Sequence, residues 1–411
     1  MRVFVSAAII AAVLNGTALA RTYDEIMAEA EAAFAKEDFA AAGALLDEAQ
    51  VKRPYSLFLT RNRILTRMLT GRDEEALAIA KSVADRGLVL ETPKHEAFDR
   101  LKALPSWRAI AAQMDANAQP IGAAVVVAEY SEAGLLPEAI SHRNGRLLIG
   151  SVRTGAVFDA GQTLSPLAEL DGGVFDIEQR RKSVFAAISN QLAYERRGEE
   201  SPSAAVVEMD AKTGAERRRI LMPAAGALIG DIEIDGRGTL YASDSLVPRL
   251  FIAGKKDEAA RLFASDDRWA NLQGIAIDEK HGRLLLADYL TGLYVVDLKD
   301  GAVRAIGNPS DAYLGGIDGL YLYDGDLICV QNGVSPQRIV RIQLDRTGGA
   351  AERLDVLAGN LEGWAEPTHG VIVGDEFVYI ATSNWPAYND DGDLRDGANL
   401  APLRIMSLRL D

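Results

Sequence analysis

Covalent stapling is excluded first: Cys329 is the only cysteine, so no disulfide can close within the chain even in an oxidising compartment. Its neighbours Leu327, Ile328 and Val330 place it on a buried strand, and no base adjoins it in sequence, which argues against a nucleophile. Positive charge is also short. Against 59 Asp and Glu stand 44 Lys and Arg, and a net charge of -15 repels a phosphate backbone and an anionic leaflet alike. Nucleic acid is therefore not an expected partner. No phosphate-cradling glycine loop, zinc-ligand motif or serine-hydrolase elbow occurs.

What is present is ordinary globular material, 48% hydrophobic and 25% charged over 411 residues, too long for one small core. At least two domains are expected. Residues 1–20 read as an export signal: Arg2, an apolar run from Val3 to Leu14, then Thr17, Ala18, Leu19 and Ala20. The run is too short to cross about 30 Å of hydrocarbon. The expectation is a periplasmic or secreted protein with no membrane span once the signal is removed.

Residues 22–117 carry helical periodicity. Ile26, Ala30, Ala33 and Phe34, then Phe39, Ala42, Leu45 and Leu46, recur at helix spacing, broken near Lys36-Glu37-Asp38. A comparable pair runs from Tyr55 to about Ala84, broken at Gly71-Arg72-Asp73. Phe39-Ala40-Ala41 and Glu74-Glu75-Ala76 are offset by roughly 35 residues, close to the period of ~34 of a tetratricopeptide repeat, which this segment resembles. A tail with Phe98, Leu101, Leu104, Trp107 and Ile110 would cover the last open face. Two repeats rarely stand alone, so the segment either offers a groove to a protein partner or caps the rest of the chain.

At 118–411 the pattern becomes short apolar runs separated by glycine and aspartate turns, the signature of strands. One unit recurs six times, opening near Glu138, Val174, Asp231, Gln273, Asp318 and His369. The later units start roughly 40–50 residues apart, the length of a four-stranded blade. The fold class expected is an all-β six-bladed β-propeller behind a smaller all-α helical-repeat domain. Closing the ring needs one strand from the other end of the propeller segment, and residues 123–129 are placed to pair beside Arg404–Leu408.

First strands of blades line the central channel, so residues that open the units converge although far apart in sequence. Glu138, Asp231, Gln273 and Asp318 would bring three carboxylates and a carboxamide to one mouth, hard oxygen donors that suit a divalent cation. Calcium is the first expectation, with magnesium, manganese or zinc as alternatives. His369 would join them as an acid or base near neutral pH, or serve as a hydrogen-bonded strand-start residue. Acidic residues also open strands as solvated turns. Trp364, Trp385 and Tyr388 either wall a ligand or pack between blades.

The units Leu136-Pro137-Glu138-Ala139-Ile140, Leu272–Asp278 and Ile317-Asp318-Gly319-Leu320 resemble those of the senescence marker protein and gluconolactonase family, related to paraoxonase-like propellers. The resemblance implies a divalent cation that polarises a lactone or ester carbonyl, with Glu138 and Asp318 as ligands and Asp318 also as base. It places Gln273 where the family has a ligand asparagine. Gly230 stands where the family has another asparagine, with Asp231 beside it. A metal-dependent lactonase-like hydrolase is one expectation; a non-catalytic binding or scaffold protein is the other.

Overall fold

The computed structural model describes residues 21–190, 193–198, 203–223, 226–389 and 391–411; the expected export signal lies outside them. Six helices come first: α1 (Tyr23–Ala35), α2 (Phe39–Lys52), α3 (Leu57–Leu69), α4 (Asp73–Asp85), α5 (Glu96–Lys102) and α6 (Trp107–Asn117). Their starts follow local chemistry. Thr22 and Glu25 form a reciprocal capping box on α1, Asp38 accepts the Ala41 N–H at α2, and Ser56 accepts the Leu59 N–H at α3. Glu37 and Gly71, with φ of 58° and 71°, turn the chain between helices. Phe98, Leu101 and Ile110 are buried with Ile64, Met68 and Leu77, and Leu104 and Trp107 pack against them, so the tail seals this core.

Six four-stranded antiparallel sheets follow. Their innermost strands are Pro137–Arg143, Gly173–Gln179, Ile229–Ile234, Leu272–Asp278, Leu320–Tyr323 and Gly370–Val373, in blades one to six. These begin where the repeated units begin. The sixth sheet is closed as expected: Val125–Tyr130 pairs antiparallel with Leu403–Arg409, with Glu129 opposite Arg404 and Arg404 bonded to the Glu129 carboxylate. Apolar side chains fill the spaces between sheets. Phe185, Ile220, Ile232 and Phe251 pack between blades two and three, and Leu285, Leu293, Leu320 and Val340 between blades four and five. Cys329 is wholly buried in blade five, where burial pushes its thiol pKa up and leaves it inert.

The helices dock on blades four and five through Tyr55. Its N–H donates to the Leu290 carbonyl at 3.1 Å, its hydroxyl accepts from Asn308 at 3.1 Å, and its ring meets Tyr313 edge-on at 5.2 Å. A Cβ at Gly315 would lie 2.1 Å from the Tyr55 Cβ, so only glycine admits this ring. The Val89 N–H to Ser335 carbonyl bond (2.6 Å) and the Arg86–Asp311 pair (2.6 Å) extend the contact.

Candidate functional site

Four of the six inner strands break register near their starts: between Pro137 and Ala139, Val174 and Asp176, Ile229 and Asp231, and Leu272 and Ile275. A bulge re-aims the side chain it carries. The residues at the breaks are Glu138, Phe175, Gly230 and Gln273, and with Asp318 and His369 they give each blade one residue on the wall of a cavity of about 320 Å3 at one mouth of the channel. The remaining lining includes Ser245, Asn271, Tyr289, Asn332, Glu366 and Trp385.

Glu138, Gln273, Asp318 and His369 thus share one cavity, and ligand atoms of Glu138, Asp318 and His369 lie within 4.8 Å of one another. Asp231 takes another direction. Blade three presents Gly230 at the wall, and Asp231 Oδ2 instead accepts the Ile275 N–H of blade four at 2.7 Å. Asp176 does the same one blade earlier, accepting the Ile232 N–H at 2.9 Å. These two aspartates tie neighbouring blades together beneath the cavity. The wall position in blade two is Phe175, not the glycines before it.

Gly230 leaves room for the Ser245 hydroxyl. A Cβ there would stand 2.5 Å from Ser245 Oγ, a buried hydroxyl with no hydrogen-bond partner, and 3.5 Å from Gln273 Oε1. The polar group missing from position 230 has a neighbour that reaches into the same space from the turn after the next strand.

Each carboxylate is held by one donor. Trp385 Nε1 donates to Glu138 Oε2 at 2.7 Å, and Asn332 Nδ2 donates to Asp318 Oδ2 at 2.6 Å while its Oδ1 accepts the Tyr289 hydroxyl at 3.1 Å. The second oxygen of each carboxylate makes no hydrogen bond among the described residues. Gln273 Nε2 donates to Asn271 Oδ1 at 2.6 Å, which aims the amide.

Burial, then the nearby Asp318 charge, pushes the Glu138 carboxyl up to about 8, against the pull of His369 and Trp385. Burial likewise raises Asp318, opposed by His369 and Asn332. Burial alone would lower His369, but Asp176, whose Oδ1 is 3.8 Å from Nδ1, and the charges of Asp318, Glu138 and Asp231 outweigh it and carry the imidazole up to about 10. The cavity therefore concentrates negative potential around one imidazolium. Two carboxylates with a free oxygen each, an imidazole and an aimed carboxamide fit a divalent cation, and the orphaned Ser245 hydroxyl adds a further oxygen beside them.

Sequence reasoning missed Asn271, Asn332, Ser245 and Glu366, which lie on loops outside the repeated strand pattern. Trp385, read from sequence as either a ligand wall or packing, touches Glu138 directly. Of the remaining histidines, His95 caps α5 and His281 pairs with Asp278. Asn389 Oδ1 accepts the N–H groups of Asp391 and Asp393.

No family model matches the chain, and no curated protein matches it. Among solved structures it is similar to a glucose dehydrogenase-type oxidoreductase of Thermus thermophilus, at 18% identity and TM-score 0.49 over 70% of this chain and 99% of that one. It is also similar to the PQQ-bound aldose sugar dehydrogenase of Streptomyces coelicolor, at 15% identity and TM-score 0.48 over 71% and 99%. A gluconolactonase of Xanthomonas campestris matches at 11% identity and TM-score 0.44 over 71% and 91%. These likenesses are of fold.

Proposed function

We propose that this chain is an exported hydrolase of a lactone or related ester, dependent on a divalent cation held by Glu138, Gln273 and Asp318 with His369. The observation that carries this is the convergence of Glu138, Asp318 and His369 within 4.8 Å in a cavity of ligand size. The family likeness of the units around Glu138 and Asp318 supports the same reading. Calcium, magnesium, manganese or zinc answers to the donor set, and the imidazole draws the choice toward manganese or zinc. A cation in this position polarises a carbonyl oxygen.

The chain's own residues do the rest. Asn332 fixes Asp318 so that its free oxygen faces the cavity, where it can take a proton from water. His369 holds a proton in this acidic setting and would have to release it to serve as a ligand, so cation affinity should rise with pH. Phe175, Leu228 and Trp385 exclude water from one side.

The test is calorimetric titration of the purified chain with each of the four cations, together with hydrolysis of a panel of lactones and aryl esters by wild type and Asp318→Asn. Micromolar binding and a loss of roughly 100-fold or more in the variant support the reading. Absence of binding with hydrolysis untouched by the variant overturns it.

A second reading has its own observation. The α1–α4 helices, which resemble tetratricopeptide repeats, keep a hollow of about 460 Å3 lined by Asp47, Gln50, Arg63 and Arg86. A protein partner seated there would make the chain a binding or scaffold protein.

A further inference from the structure

The docked helices do more than cover blades four and five. Between them and the propeller runs a groove of about 630 Å3, walled by Leu57 and Arg61 of α3 on one side and by Ser335, Gln337 and Trp364 on the other. Tyr289, Asn332 and Glu366 line both this groove and the central cavity, so the two spaces adjoin.

Charge is unevenly placed along this path. No lysine or arginine lines the central cavity, and Arg61 is the one such residue lining the groove among the described residues. It is half-buried and makes no hydrogen bond or ion pair there, although Glu91 and Glu366 line the same groove. With no protein partner, its guanidinium is free to pair with a ligand. Its planar fork matches a carboxylate in two parallel hydrogen bonds. A phosphate dianion fits less well, because a single guanidinium faces it and two glutamates share the groove.

We propose that the groove is a second subsite of the same centre, and that the substrate carries a carboxylate on an extended arm, held by Arg61 while the reacting carbonyl lies at Glu138, Asp318 and His369. This rests on the hydrolase reading for the reacting end only; the anion subsite is a matter of binding. The helices thereby become part of the substrate site, and Arg61 selects acid-tailed lactones or esters over neutral ones.

The probes are non-hydrolysable monoamides of linear diacids, from succinamate to suberamate to bracket the groove's reach, each against its uncharged diamide. Calorimetry with the full mature chain is expected to show one chain length binding best, at least tenfold weaker in Arg61→Gln, partly recovered in Arg61→Lys, and more salt-sensitive in wild type than in Arg61→Gln. Diamide binding is expected to be the same in wild type and variants. Equal melting temperatures of the three proteins establish that docking is intact. No measurable monoamide binding, or equal affinity in wild type and Arg61→Gln, overturns the proposal, as does a diamide that binds wild type as tightly as its monoamide. If the Arg61-dependent binding holds and no lactone or ester is hydrolysed, the subsite stands and the hydrolase reading falls.

Discussion

Trp385 donates its indole N–H to Glu138 Oε2 at 2.7 Å, joining the loop after the second strand of blade six to the first inner strand of blade one. The bond leaves the other carboxylate oxygen facing the cavity and opposes the upward shift that burial and Asp318 impose on Glu138. Trp385→Phe keeps the ring and removes the donor. A hydrogen bond to a charged group contributes about 1.5–3 kcal/mol, so divalent affinity at neutral pH is expected to fall roughly tenfold or more. Calorimetric titration of the variant checks this, and unchanged affinity would mean Glu138 orients itself without the indole.

Position 230 offers a double-mutant test. Gly230→Asn places a Cβ 2.5 Å from Ser245 Oγ and is expected to lower the melting temperature. Gly230→Asn with Ser245→Gly removes the clash and brings a carboxamide toward the ring of donors. The double variant should regain stability and bind the cation more tightly than wild type. Additive losses in the cycle would show that the two residues do not share this space.

Glu178 lies further down the inner strand of blade two, with Arg180 Nε 3.1 Å from its carboxylate. Burial, and then the Asp176 charge, pushes its pKa up to about 7 despite Arg180 and Arg143. A carboxyl whose folded pKa is raised favours the folded state while protonated. Stability is therefore lost as pH rises from about 4.5 through about 7. With its side chain 31% exposed, solvent screening reduces the effect to about 1–2 kcal/mol. Glu178→Gln should melt roughly 1–3 °C higher than wild type at pH 8 and equally below pH 4.5, as followed by thermal scans.

Gly315 tests the helix docking. In Gly315→Ala the new methyl would meet the Tyr55 Cβ at 2.1 Å, so the helices must shift off blades four and five. Limited proteolysis is expected to cut faster between α6 and the first propeller strand, with a melting temperature several degrees lower. If cleavage there is unchanged, Tyr55 is not what holds the helices down.

Much of this architecture was legible in the chain. Alternating and fully apolar runs at blade spacing, with turns such as Asn144-Gly145 and Asp324-Gly325, gave the six sheets and the closing pair. Glu138, Gln273, Asp318 and His369 were legible as wall residues because each opens a unit. Asp231 was not, because the bulge beside Gly230 rotates the wall position by one residue and no alternation reveals a bulge. Asn271, Asn332, Ser245 and Glu366 sit on loops, where position follows from how blades meet. Arg61 was invisible for a related reason. On α3 it reads as a surface residue, and only the docking of Tyr55 turns it toward the propeller.

The pairing of Val125–Tyr130 with Leu403–Arg409 sets an order of events during synthesis. The strand that begins the propeller waits unpaired through the translation of five blades, because its partner follows all of them. Its backbone N–H and C=O groups stand open to other strands for that whole interval. A chain stopped short of residue 403 cannot close the ring, and it presents an unpaired strand to any neighbour, which makes premature termination a route to aggregation rather than to a smaller working protein.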